Sequence, residues 1–204
     1  MALVFDTETT GLPFCKKYSL FPDYTQLKYY LTSRVVQVSY IITNDLFEKM
    51  EESSVIIKAD NFKIKNSQFH GITDIISETQ GIPFVQFAQQ LSNSLDFVHT
   101  LIAHNINFDI NVLLSELYRY NLTDVIQKIL SKKQICSMKF TKNDVKAKFK
   151  NSTGSDAYKD PSLKELYFHA TGEEIQNQHN STYDTLNLYH SLKLLYGNPL
   201  THAP

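Results

Sequence analysis

The chain has 204 residues, 42% of them hydrophobic and 20% charged, with a net charge of −1. That is the balance of an ordinary folded protein, and it excludes disordered, fibrous and strongly basic classes. A chain of this length fits one domain over residues 1–204, burying roughly 70% of the surface that its unfolded state exposes.

In chain order, Ala2–Phe5 reads as a short buried strand, and Arg34–Thr43 and Ser53–Lys58 read as two more. Pro83 opens a helix whose apolar positions Phe84, Phe87, Leu91 and Leu95 share one face. Thr100–Ala103 is a fourth strand. A helix with Ile110, Leu113, Leu114 and Leu117 inward follows it, and Ile135–Met138 is a fifth strand. Asp160-Pro161 caps a helix that turns Leu163, Leu166 and Tyr167 inward and stops at Gly172. A last helix, capped by Ser181 or Thr182, packs Leu186, Tyr189, Leu192 and Leu195 on the sheet. Three strands followed by alternating helices and strands predict an α/β fold with a mixed five-stranded sheet flanked by helices. Two stretches look inserted as surface loops: Pro13–Ser33, rich in tyrosine and lysine, and the polar Lys139–Pro161.

Four carboxylates and an imidazole stand out in three segments, VFDTETTGL (residues 4–12), AHNINFDINVLL (103–114) and HNSTYD (179–184). Asp6 and Glu8 are two residues apart at the end of an apolar run, so on a strand both side chains emerge on one face. Such paired oxygen donors suit Mg²⁺ or Mn²⁺. His179 and Asp184 are five apart and need a turn between them, with His179 on an approach loop and Asp184 in the first helical turn, where the helix dipole favours its charge.

In that order the three segments resemble the DEDDh 3′-to-5′ exonucleases, which include polymerase proofreading subunits, ribonuclease T and the three-prime repair exonucleases. Asp-x-Glu-Thr-Thr-Gly-Leu is met in full by residues 6–12, and His-Asn-x-x-Phe-Asp by residues 104–109. His-x-Ala-x-x-Asp is met at His179 and Asp184, with Ser181 where alanine is usual. The resemblance implies a ribonuclease H-like fold and a site for two divalent ions held by Asp6, Glu8, Asp109 and Asp184. It implies His179 as general base, with Asp6, Glu8, Asp109, His179 and Asp184 together forming the catalytic set. It also implies that the backbone of Thr7 and Glu8 receives the substrate's terminal 3′-OH, that Leu12 wedges against the last base, that Phe108 packs on the terminal nucleotide, and that His70 and His104 border it.

The expected substrate is the 3′ end of single-stranded nucleic acid, shortened to nucleoside 5′-monophosphates in proofreading or repair, with a DNA polymerase as a further partner. Eighteen of the 20 basic residues are lysine, Arg34 and Arg119 being the exceptions. Contacts to phosphate are therefore expected as point charges that read backbone rather than bases. Lys146, Lys148 and Lys150 are candidates for them. An exoribonuclease, and a catalytically silent domain that binds nucleic acid or a polymerase, stay open as other readings. With Asp6 placed before any leader could be removed, no apolar run of spanning length, and Cys15 and Cys136 far apart, an intracellular, cytoplasmic protein with reduced thiols and no membrane partner is expected.

Overall fold

The computed structural model of the chain describes residues 1–15, 20–150, 156–176 and 180–197. Its main sheet is built around β1 (Ala2–Thr9), in the order β3-β2-β1-β4-β5. β2 (Val35–Thr43) pairs antiparallel with β1 and with β3 (Lys49–Ile56), while β4 (Thr100–Ala103) runs parallel to β1 and to β5 (Lys133–Cys136). This is a mixed five-stranded sheet with helices on both faces, the ribonuclease H-like arrangement.

Alternation along β1 decides which layer each side chain meets. Leu3 and Phe5 join Val38, Tyr40, Ile42, Leu101 and Ala103 in the larger core. That core is covered by α3 (Phe84–Leu95), α4 (Ile106–Arg119) and α5 (Thr123–Leu130), after the short α1 (Ser67–His70) and α2 (Asp74–Gln80). Val4 points the other way and packs with Ile41 and Ile102 against Leu166, Leu188, Tyr189 and Leu192. Those four belong to α8 (Leu163–Thr171) and α9 (Ser181–Tyr196). A strand buried on both faces gives a continuous apolar run, which is why Ala2–Phe5 reads so clearly in the sequence.

Several boundaries differ from expectation. β1 runs four residues further, to Thr9, because its polar second half is paired with β2 on the motif side. β3 begins at Lys49 rather than Ser53; it is an edge strand whose charged start, with Lys49, Glu51 and Glu52 exposed, discourages further pairing. β5 ends at Cys136, and Ser137 already starts the short helix α6 (Ser137–Phe140). Helix α8 is capped by Ser162 rather than by Asp160-Pro161: its hydroxyl accepts the Glu165 N–H at 3.3 Å while Glu165 accepts the Ser162 N–H at 2.8 Å. Helix α9 is capped by Asn180, whose side chain accepts the Thr182 N–H at 3.1 Å, not by Ser181 or Thr182. Leu188, Tyr189 and Leu192 are buried, whereas Leu186 and Leu195 sit half-buried at the margin of that cluster.

Neither expected surface loop is plain loop. Within Pro13–Ser33 a 3-10 turn, Leu27–Tyr30, buries Tyr30 completely, and Tyr24 meets Tyr118 edge-on at 6.0 Å. Within Lys139–Pro161, α6 is followed by α7 (Lys142–Val145) and an antiparallel pair, β6 (Lys148–Lys150) with β7 (Asp156–Tyr158).

Both arginines turn toward one buried carboxylate, Glu116. The Arg34 guanidinium donates to both carboxylate oxygens of Glu116, with Nη2 at 3.2 Å, and Arg119 approaches the same carboxylate at 3.6 Å. Phe62 covers the Arg34 guanidinium at 4.2 Å. The Arg34 and Glu116 side chains are only 8% and 3% exposed, so desolvation makes each dependent on the other. Arg34→Met should therefore lower the free energy of unfolding by about 3–5 kcal/mol by stranding a buried charge. Urea denaturation with an unchanged m value is the measurement; a loss below about 1 kcal/mol would show that Arg119 alone satisfies Glu116.

Candidate active site

Asp6 and Glu8 continue the Val4 face of β1, so they look toward α9, and Asp184 stands in the first turn of that helix. Ligand oxygens of Asp6, Glu8 and Asp184 lie within 4.8 Å of one another. Thr7 continues the opposite face, toward α4, and meets Asp109 in that helix's first turn. The Thr7 hydroxyl donates to Asp109 Oδ1 at 2.8 Å and the Thr7 amide donates to the same oxygen at 3.1 Å. Three consecutive residues of one strand thus reach two helices on opposite sides of the sheet. Immediately beyond Glu8 the pairing with β2 slips by one residue, a bulge that redirects the chain at the site's rim.

The electrostatics are those of carboxylates crowded without compensation. Burial, then the charges of Asp109, Glu8 and Asp184, holds Asp6 well above the usual carboxylate range. Burial followed by Asp184 and Asp109 pushes Glu8 up to about 8. Burial also raises Asp109, with the two Thr7 hydrogen bonds opposing it. Convergent hard oxygens whose negative charges raise one another's proton affinity fit a divalent cation, which replaces those protons.

Behind the carboxylates lies a cluster that the sequence reading did not identify. Ser39 and Gln37 on β2 are the cross-strand partners of Asp6 and Glu8. The Ser39 hydroxyl is 2.7 Å from that of Ser181 and 2.9 Å from that of Ser54, and Gln37 donates to Ser54 at 3.1 Å and to Thr182 at 3.2 Å. The Thr185 hydroxyl donates to the Ser39 carbonyl at 3.2 Å. Ser181, fully buried where alanine is usual, is accommodated because Ser39 faces it. The signal was present as Gln37 and Ser39, two polar residues at alternate positions within the apolar run RVVQVSYIIT.

The other expected site residues are placed unequally. Leu12 is 50% exposed, so it is not core. Phe108 is half-buried against the large core, with Phe21 at 6.0 Å. His70 is buried, and both ring nitrogens are used locally, Nε2 with the Lys65 carbonyl at 3.1 Å and Nδ1 accepting from the Ile72 amide at 3.1 Å. His104 lies 2.9 Å from Ser137 Oγ through Nδ1, and burial pushes it down to about 4 against the pull of the Pro161 carbonyl and Glu165. The Thr7 amide is engaged by Asp109, which leaves the expected 3′-OH contact resting on Glu8. Lys146 is exposed just before β6 and Lys148 is exposed at its start; the side chain of Lys150, like His179, lies outside the described residues.

The raised carboxyl groups set a pH dependence. A folded-state value above the unfolded one contributes stability that is complete below the unfolded value, about 4.3 for glutamate, and is lost as pH rises through the folded value, about 8 for Glu8. In EDTA the melting temperature should fall between about pH 5 and 8 more steeply for the wild type than for Glu8→Gln, and Mg²⁺ should flatten the wild-type curve. Scanning fluorimetry across pH tests this; parallel curves for the two proteins would remove Glu8 from the stressed set.

Residues 3–192 match the RNase T exonuclease family. No curated protein sequence matches the chain significantly. Among solved structures, the chain is similar to the zinc-bound complex of E. coli Exonuclease I with single-stranded DNA, at 18% identity and a TM-score of 0.70, covering 98% of this chain and 41% of that one. It is similar to the E. coli enzyme in complex with a dT13 oligonucleotide at 20% identity and a TM-score of 0.69, with 95% and 40% covered. A moderately thermophilic Exonuclease I from Methylocaldum szegediense gives 18% identity and a TM-score of 0.69, with 98% and 41% covered. The chain spans about two-fifths of the length of these proteins. With the family match running over nearly the whole sequence and the sheet order that carries the site, the chain belongs to the RNase T family of DEDDh exonucleases.

Proposed function

We propose that the protein is a metal-dependent 3′-to-5′ exonuclease that releases nucleoside 5′-monophosphates from single-stranded DNA. The observation that carries this reading is the convergence of Asp6, Glu8 and Asp184 within 4.8 Å, with Asp109 beside them. The likeness to Exonuclease I structures that hold single-stranded oligonucleotides supports the choice of substrate.

Asp6, Glu8 and Asp184 would hold divalent ions, and Asp109 would complete the set from α4. Two divalent ions, Mg²⁺ or Mn²⁺, when bound lower the pKa of water and neutralise charge on a phosphodiester. Thr7 fixes Asp109 through two donors to one oxygen, which leaves the other oxygen outside that pair of bonds. His179 takes a proton from the attacking water; an unperturbed imidazole near pKa 6.5 is largely neutral at working pH. The water oxygen bonds to phosphorus, the 3′-oxygen of the preceding nucleotide leaves and takes up a proton from solvent, and the phosphate departs as the 5′-phosphate of the released nucleotide. Leu12 and Phe108 flank the terminal base, and Lys146 and Lys148 offer point charges to the backbone.

The test is incubation with Mg²⁺ and 5′-labelled single strands of DNA or RNA of equal sequence. Progressive shortening of the DNA with mononucleotide release is expected, abolished by EDTA and by Asp6→Asn or Asp184→Asn with the fold retained in circular dichroism. Preference for the RNA strand would assign an exoribonuclease, and inertness on both would leave a binding domain. His179→Ala should reduce kcat by about 10²–10⁴-fold and lose the acidic limb of the pH profile while metal binding persists. An unchanged acidic limb would assign that titration to another group.

A further inference from the structure

Phe14 is 74% exposed, yet it is held in place. Its amide donates to the Tyr29 carbonyl at 2.8 Å, and its ring stacks on Tyr29 with centroids 6.5 Å apart and planes 2° from parallel. Lys28 lies over the far partner of that stack, its Nζ 4.9 Å from the Tyr29 centroid.

The segment bearing Tyr29 is anchored by the fully buried Tyr30 and tied to the end of the first motif. Thr32 donates to the Leu12 carbonyl at 2.8 Å, and Thr10 donates to the Thr32 carbonyl at 3.0 Å. Gly11 permits that approach; a Cβ there would stand 2.9 Å from the Thr32 oxygen. Leu12, Phe14 and Leu31, which are 50%, 74% and 63% exposed, therefore stand in segments bolted together rather than in a loose loop.

A single exposed apolar side chain needs no explanation. A flat aromatic pair held in register, with a cation on one ring and the metal-site strand at its base, does. We propose that Phe14, backed by Tyr29 and Lys28, is a stacking platform for an unpaired base upstream of the 3′-terminal nucleotide. The inference rests on the exonuclease reading and adds a second nucleotide subsite to it.

Phe14 lies six positions beyond Glu8, a reach of at most about 20 Å. At about 3.4 Å per stacked nucleotide the platform serves a base within roughly six positions of the scissile bond. Only an unpaired base offers its face to such a ring, and stacking is indifferent to base identity. Lys28 supplies a point charge for the adjoining phosphate.

Affinity for 5′-fluorescein-labelled dT12, and for a set carrying one abasic site at positions 2 to 6 from the 3′ end, tests the platform by anisotropy in Ca²⁺. Phe14→Ala should weaken binding of the intact strand about 5- to 100-fold, Phe14→Trp should retain it, and melting temperature should hardly change because the ring is exposed. One abasic position should weaken the wild type by a similar factor and leave Phe14→Ala unaffected. Equal affinity of wild type and Phe14→Ala for intact dT12, with 3′ shortening by the wild type intact, would overturn the platform alone. A wild type that neither binds nor shortens the strand would overturn the exonuclease reading and the platform with it.

Discussion

The double-sided burial of β1 is the constraint on which the site depends. Because side chains alternate along a strand and helices cover both faces of this one, its last polar residues must address two different layers. Asp6 and Glu8 reach α9; Thr7 reaches α4. A one-residue slip of β1 against β2 would send the carboxylates into the α4 layer and the threonine toward α9, so the site's geometry and the strand's register are the same fact. The apolar half of the strand, Leu3 to Phe5, secures that register through two separate cores.

Holding these carboxylates together works against folding when no cation is present, and the surroundings are built to resist their separation. On one side the hydroxyls of Ser39, Ser54, Ser181 and Thr182, with Gln37, fix the first turn of α9 to β2 directly beneath Asp6 and Glu8. On the other, Thr7 grips Asp109, and two turns further along α4 Glu116 is clamped by Arg34, whose backbone is itself bonded to Thr10 at the end of the first motif. Neutral hydroxyls near the anions and a compensated charge further away achieve the fixation without cancelling the field that draws a cation.

The segments absent from the motif pattern extend the same end of the sheet. The stretch after Gly11 wraps over α4 with its tyrosines and leaves Phe14 outward, while the stretch after β5 folds into α6, α7 and the β6–β7 pair. Both leave the sheet at the carboxyl ends of the parallel strands, the edge at which open α/β sheets place their ligands.

The sequence by itself determined the sheet, the main helices and the carboxylates, since alternation, helical periodicity and motif spacing are local properties of the chain. It also marked Asp6 and Glu8 as sharing a face, because period two holds wherever a strand forms. Tertiary structure alone decided what the remaining polar residues do. Arg34, to which the sequence assigned no role, is drawn to Glu116, since a carboxylate 82 positions away is invisible to any local pattern. Ser181, a departure from the family pattern, is resolved by Ser39, 142 positions earlier. Asn180 took the cap from Ser181 because Ser181 is turned inward to that partner, and β3 extended into a polar run because an edge strand needs only backbone pairing. For Arg34 and Ser181 the deciding partner is remote in sequence, and only the packing of the folded chain brings it near.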